Sequence, residues 1–83
     1  MEKVLVEIYL PAANKTFEVY IPLAIRVNEA VLLVSNVLSD LSDGKFLAAE
    51  DTVLCDAVSG TILNINKSVF ELGIQNGTKL ILI

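Results

Sequence analysis

The stretch Ser68-Val-Phe-Glu-Leu-Gly-Ile-Gln-Asn-Gly-Thr-Lys-Leu-Ile-Leu-Ile83 decides how this chain folds. It joins a short apolar turn, Val69-Phe-Glu-Leu72, through a tight turn at Asn76-Gly77 to the run Lys79–Ile83, which has the make-up of a buried strand. A run that dense needs cover on both faces and neighbours on both edges. The matching run lies at the far end of the sequence, where Val4, Val6, Ile8 and Leu10 fall at every second position with Glu7 and Tyr9 between them. These two strands are expected to pair in the middle of the sheet, parallel to one another.

Working outward, Pro11-Ala-Ala-Asn-Lys15 carries turn formers, and the alternation then resumes in Phe17, Val19 and Ile21. A hairpin follows from this. Pro22 has no N–H to continue a ladder, and beyond it the apolar period changes to that of a helix from Arg26 to Leu41. Val27, Ala30, Val31, Val34, Val37, Leu38 and Leu41 share one face, with Leu33 at its edge. Asn28, Glu29, Ser35, Asn36, Ser39 and Asp40 share the other, among which Leu32 is a misfit. Only Asn28 offers a side-chain acceptor at the helix start, whereas Ser42-Asp-Gly44 supplies a stop. After an irregular connection from Phe46 to Asp51, Thr52–Val58 and Thr61–Ile65 read as a strand pair about a tight turn at Ser59-Gly60. A long apolar helix bracketed by hairpins buries its stripe by lying across a sheet, so the expected class is α+β, with residues 1–83 forming one domain.

Composition excludes several functions. The chain carries six basic groups against ten carboxylates, a formal charge of −4, and its lysines and single arginine stand apart, which opposes binding to nucleic acid. With 54% apolar residues and a mean hydropathy of +0.66, the surface should keep some apolar area. No uncharged run reaches the about 18–20 residues that span a bilayer, so direct membrane insertion is not expected. A single cysteine and an opening, Met1-Glu-Lys-Val, that runs straight into a strand pattern point to a reducing cytoplasm.

No catalytic, metal or cofactor site is expected. There is no histidine to activate Cys55, which reads as a small apolar filler of a strand. Asp40-Leu-Ser-Asp-Gly44 lacks the alternating acidic ligands and terminal glutamate of a calcium loop, and the carboxylates Asp40, Asp43, Glu50, Asp51 and Asp56 read as a solvated acidic face. Gly44, Gly60, Gly73 and Gly77 lie too far apart for a phosphate-binding loop. Two features suggest protein contacts. Tyr9 and Tyr20 point away from the core on neighbouring strands, either as a contact surface or as cross-strand packing. Leu32, beside the wide apolar arc of the helix, is either an isolated exposed leucine or part of a patch.

The order of elements, with Val69-Phe-Glu-Leu-Gly-Ile-Gln-Asn-Gly-Thr-Lys-Leu-Ile-Leu-Ile83, resembles the ubiquitin-like β-grasp fold. That implies a mixed sheet of four to five strands, one long helix across it and a short 3-10 turn. Within that fold the strand Lys3–Leu10, the strand Thr16–Ile21, the helix Val27–Leu41 and the ending Leu72–Leu82 look most like the small YukD/EsaB proteins of bacterial type VII secretion. The resemblance implies a cytoplasmic, non-enzymatic protein-interaction module, an accessory or regulator that contacts membrane components or the ATPase of the apparatus. It also directs attention to Ala57 and Val58, near the apolar binding surface of ubiquitin-like proteins. Conjugation and sulfur transfer require a flexible tail ending in two glycines. Leu82-Ile83 inside the last strand departs from that pattern, and a modifier role is not expected unless the coding sequence continues. The alternative is a homo-oligomerising or adaptor β-grasp domain unrelated to secretion, joined through a strand edge or apolar patch.

Overall fold

The computed structural model describes residues 2–47 and 49–83. Four strands form one mixed sheet: β1 (Lys3–Leu10), β2 (Lys15–Pro22), β3 (Leu54–Asp56) and β4 (Lys79–Leu82), in the spatial order β2-β1-β4-β3, with the helix α1 (Val27–Leu41) across one face. β1 runs antiparallel to β2 and parallel to β4, with Glu7, Ile8 and Tyr9 opposite Lys79, Leu80 and Ile81. The two densest apolar runs therefore meet at the centre, as their composition demands. Their core-facing side chains, Val6, Ile8, Leu10, Leu80 and Leu82, are almost wholly buried. This is the ubiquitin-like β-grasp fold.

β2 is an edge. The Leu23 N–H donates to the Glu2 carbonyl at 3.0 Å, and bonded pairs alternate along an antiparallel ladder, so Thr16, Glu18 and Tyr20 turn their backbone groups outward. Pro22 falls in the same outward set, where its missing N–H costs no ladder bond.

The helix begins in a way the local sequence does not announce. Arg26 occupies the cap position, and its side chain has no acceptor; the Glu29 carboxylate accepts from the Arg26 N–H at 3.4 Å, while Asn28 Oδ1 reaches only the next N–H, that of Glu29, at 3.0 Å. The free donors of the first turn go instead to a distant loop: the Val27 N–H to the Lys67 carbonyl at 2.9 Å and the Asn28 N–H to the Ile65 carbonyl at 3.2 Å. At the other end the Gly44 N–H reaches the Ser39 carbonyl at 3.0 Å, with Asp43 and Gly44 both in the left-handed region.

Two positions on the helix differ from the periodicity. Ser35, assigned by pattern to the polar face, is 2% exposed; it lies at the rim of the arc centred on Val27, Val34 and Leu38. Leu41, assigned to the buried face, is exposed, although Leu38 and Ser42 on either side of it are buried.

The second half of the chain is less regular than its pattern. β3 is confined to Leu54–Asp56 because the Asp56 carboxylate accepts from the Val58 and Ser59 N–H groups at 2.8 and 3.0 Å and folds the chain into a turn. Thr61–Ile65 returns along β3 through two bonds, Asp56 N–H to Thr61 carbonyl and Leu63 N–H to Leu54 carbonyl, with Cys55 bridged to Ile62. Asn64 then ends the pairing. Its side chain accepts from the Asn66 N–H at 2.9 Å and its carbonyl from Lys67, which turns residues 65–67 towards the start of α1. Residues 69–73 form a turn in which the Leu72 N–H bonds to the Ser68 carbonyl at 3.3 Å and the Gly73 N–H to the Phe70 carbonyl at 3.0 Å, with Ser68 and Glu71 capping one another.

Candidate functional site

The open face of the sheet carries Tyr9 and Tyr20, with Ala57 at its border, whereas Val58 lies in the turn beyond β3. Tyr9 stands between Thr16 on β2 and Ile81 on β4, and its hydroxyl donates to Asn14 Oδ1 at 2.8 Å in the hairpin turn. Tyr9 and Ala57 come together, with Glu7, Thr16 and Lys79, around a shallow depression of about 170 Å³. Tyr20 sits apart. It is opposite Leu5, four residues along the ladder from Tyr9–Thr16, which is about 13 Å at the usual rise of a strand. The two residues therefore do not stand side by side across the hairpin. Val58 projects at the tip of the Asp56–Ser59 turn and is 89% exposed. The N–H groups of Ser59 and Val58 stabilise the Asp56 carboxylate and hold its pKa below the ordinary 3.8.

Leu32 lies on the other side of the molecule, 66% exposed. The structure places it in a groove of about 380 Å³ between α1 and the segment entering β3, with Val31, Ala49, Val53 and Ile65 as the other apolar walls. Each wall has a cause. Ile65 is held there because its carbonyl caps α1, and Val53 because it exchanges two backbone bonds with Ile83, at 2.8 and 3.0 Å. Asn28, Glu50 and Thr52 supply the polar rim. Ile65 and Val53 come from segments distant in sequence from Leu32, and no local pattern brings them together. A further apolar cleft of about 370 Å³ runs between Leu23, Ala24 and Phe70, whose ring is 70% exposed. Phe70 belongs to the short turn of residues 69–72, and nothing in the spacing of that segment marks it as exposed.

Reactive chemistry is sparse. The Cys55 side chain is 5% exposed, with Ile81 opposite it on β4 and Ile62 bridged on its other side. Among the described residues, no three His, Cys, Asp or Glu side chains are grouped to hold a metal ion, and no helix is long and apolar enough to cross a membrane.

No protein-family model matches the chain, and no curated protein matches it in sequence. Solved structures do match it in fold. The ubiquitin-like domain of the Mycobacterium tuberculosis type VII secretion system protein EccD1 superposes with a TM-score of 0.67 at 18% identity, over 100% of this chain and 99% of that one. The EccD5 ubiquitin-like domain of Mycobacterium xenopi gives 0.72 at 22%, over 100% and 94%. Ubiquitin from Caldiarchaeum subterraneum gives 0.74 at 18%, over 99% and 92%. At such identities the likeness establishes the fold.

Proposed function

We propose that this chain is a ubiquitin-like protein-interaction module of a bacterial type VII secretion system, an accessory or regulatory component of the YukD/EsaB kind, acting in the cytoplasm as one domain over residues 1–83. The observation that carries the reading is the end-to-end likeness of the chain to two ubiquitin-like domains of type VII secretion proteins. Its role is recognition, not catalysis: Cys55 is enclosed and without a histidine partner, and the surfaces that remain are apolar contacts of the kind proteins make.

Deletion of the gene should reduce export of the small helical-hairpin substrates, and an affinity-tagged copy should recover membrane components or the ATPase of the apparatus. Unchanged export together with no secretion component recovered would defeat the reading. A second reading, self-association as an adaptor, is favoured by the outward backbone groups of Thr16, Glu18 and Tyr20 on β2. Light scattering decides it: a monomer at every concentration removes it.

A further inference from the structure

We propose that the groove between α1 and the segment entering β3 docks a basic amphipathic peptide, whose apolar side chains seat on Leu32, Val53 and Ile65 while its Lys or Arg side chains meet Glu29, Glu50 and Asp51. Two independent features lead to this occupant. The first is shape: at about 380 Å³ the groove falls within the range of about 300–1,000 Å³ typical of ligand clefts, and its walls are mostly apolar with a polar rim. The second is charge. Between Arg26 and Lys67 the sequence places Glu29, Asp40, Asp43, Glu50, Asp51 and Asp56 against the cations Arg26, Lys45 and Lys67, a net −3 of the protein's −4, and Arg26 and Lys67 act on Glu71 and are not among the residues lining the groove. Glu50 lines the groove, Asp51 is exposed beside it, and Glu29 lies one helical turn before Leu32.

That combination selects its partner. An acidic rim repels phosphate backbones and anionic lipid, and it attracts cationic side chains, chiefly by accelerating encounter and rejecting wrong partners. A second copy of this chain cannot supply the ligand, because its lysines and arginine are scattered singly and no segment combines several of them with apolar residues at helical spacing. The docking site rests on the groove and the charge distribution, so it stands or falls separately from the secretion assignment.

The test uses isotope-labelled protein and a synthetic amphipathic peptide of leucine and lysine, with leucine/glutamate and serine/lysine peptides of the same pattern as comparisons. The leucine/lysine peptide should shift the amides of Val31, Leu32, Thr52, Val53 and Ile65, and neither comparison peptide should. The pair Leu32→Ser and Ile65→Ser should weaken binding by about tenfold or more, one such factor corresponding to about 1.4 kcal/mol. Both side chains are substantially exposed, at 66% and 49%, so the melting temperature should hold. Glu50→Gln with Asp51→Asn should flatten the salt dependence. Absence of binding, equal binding of the serine/lysine peptide, or shifts gathered around Tyr9 and Ile81 would each overturn the proposal.

Discussion

Replacing Ser35 with alanine should make this protein more stable. The residue is 2% exposed, and its Oγ is the buried side-chain oxygen that, among the described residues, has no hydrogen-bond partner. Leaving a buried hydroxyl unsatisfied costs about 1–3 kcal/mol. Alanine also heads the helix-propensity scale, on which ordinary residues span about 0.7 kcal/mol. Against these gains stands the small void left by one oxygen, which at about 24 cal/mol per Å³ amounts to a few tenths of a kcal/mol. The expected net gain is about 1–3 kcal/mol, and each kcal/mol shifts the melting midpoint by about 4–8 °C in a domain of this size. Ser42 provides the contrast, because its hydroxyl is used: Oγ accepts from the Phe46 N–H at 3.3 Å and donates to the Ser39 carbonyl at 3.4 Å. Ser42→Ala should therefore lose about 1 kcal/mol. Urea and thermal unfolding followed by circular dichroism compare the two. If Ser35→Ala is destabilised as well, the hydroxyl has a partner, and the argument from an unsatisfied group fails.

Leu82 is wholly buried, so Leu82→Ala should cost about 2–5 kcal/mol in denaturant unfolding, and a loss below 1 kcal/mol would show that β4 is not integral to the core. Gly77 has φ +87° with nothing within 4 Å of where a Cβ would stand, so Gly77→Ala should cost only the conformational penalty, about 1–2 kcal/mol, and a neutral result would contradict the turn geometry. The carboxylates of Asp56 and Glu71 are held below their ordinary values of 3.8 and 4.5, by the N–H groups of Ser59 and Val58 and of Ser68 respectively. Their folded pKa values are the lower ones, so their stabilisation is complete above the unfolded values and fades as pH falls through the folded ones. Stability measured below pH 4.5 should therefore decline with acid, and Asp56→Asn with Glu71→Gln should flatten that decline.

The central strands were legible because their signal is carried by consecutive residues: Val4, Val6, Ile8 and Leu10 fix both the face and the period of β1, and Lys79–Ile83 can be accommodated only in the middle of a sheet. The helix was legible for the same reason, apart from its rim, where the small Ser35 is buried and the large Leu41 is not. Relations between distant segments were not legible. The carbonyls of Ile65 and Lys67 cap α1, and a polar stretch offers no pattern that marks backbone acceptors. For the same reason Leu32 stood out as a misfit while Val53 and Ile65, the other walls of its groove, did not. The separation of Tyr9 from Tyr20 depended on register, which alternation alone does not set.

Because β1 lies between β2 and β4, the first strand made is also the one that waits longest for its full set of neighbours. During synthesis residues 3–22 can close as a hairpin, and yet the edge of β1 meant for Lys79–Leu82 stays bare until almost the entire domain has left the ribosome. A nascent chain halted before Thr78 would present that edge, flanked by Val6 and Ile8, to any other extended segment in reach. Chaperone protection of this domain would therefore be needed early in translation and end abruptly with its last strand.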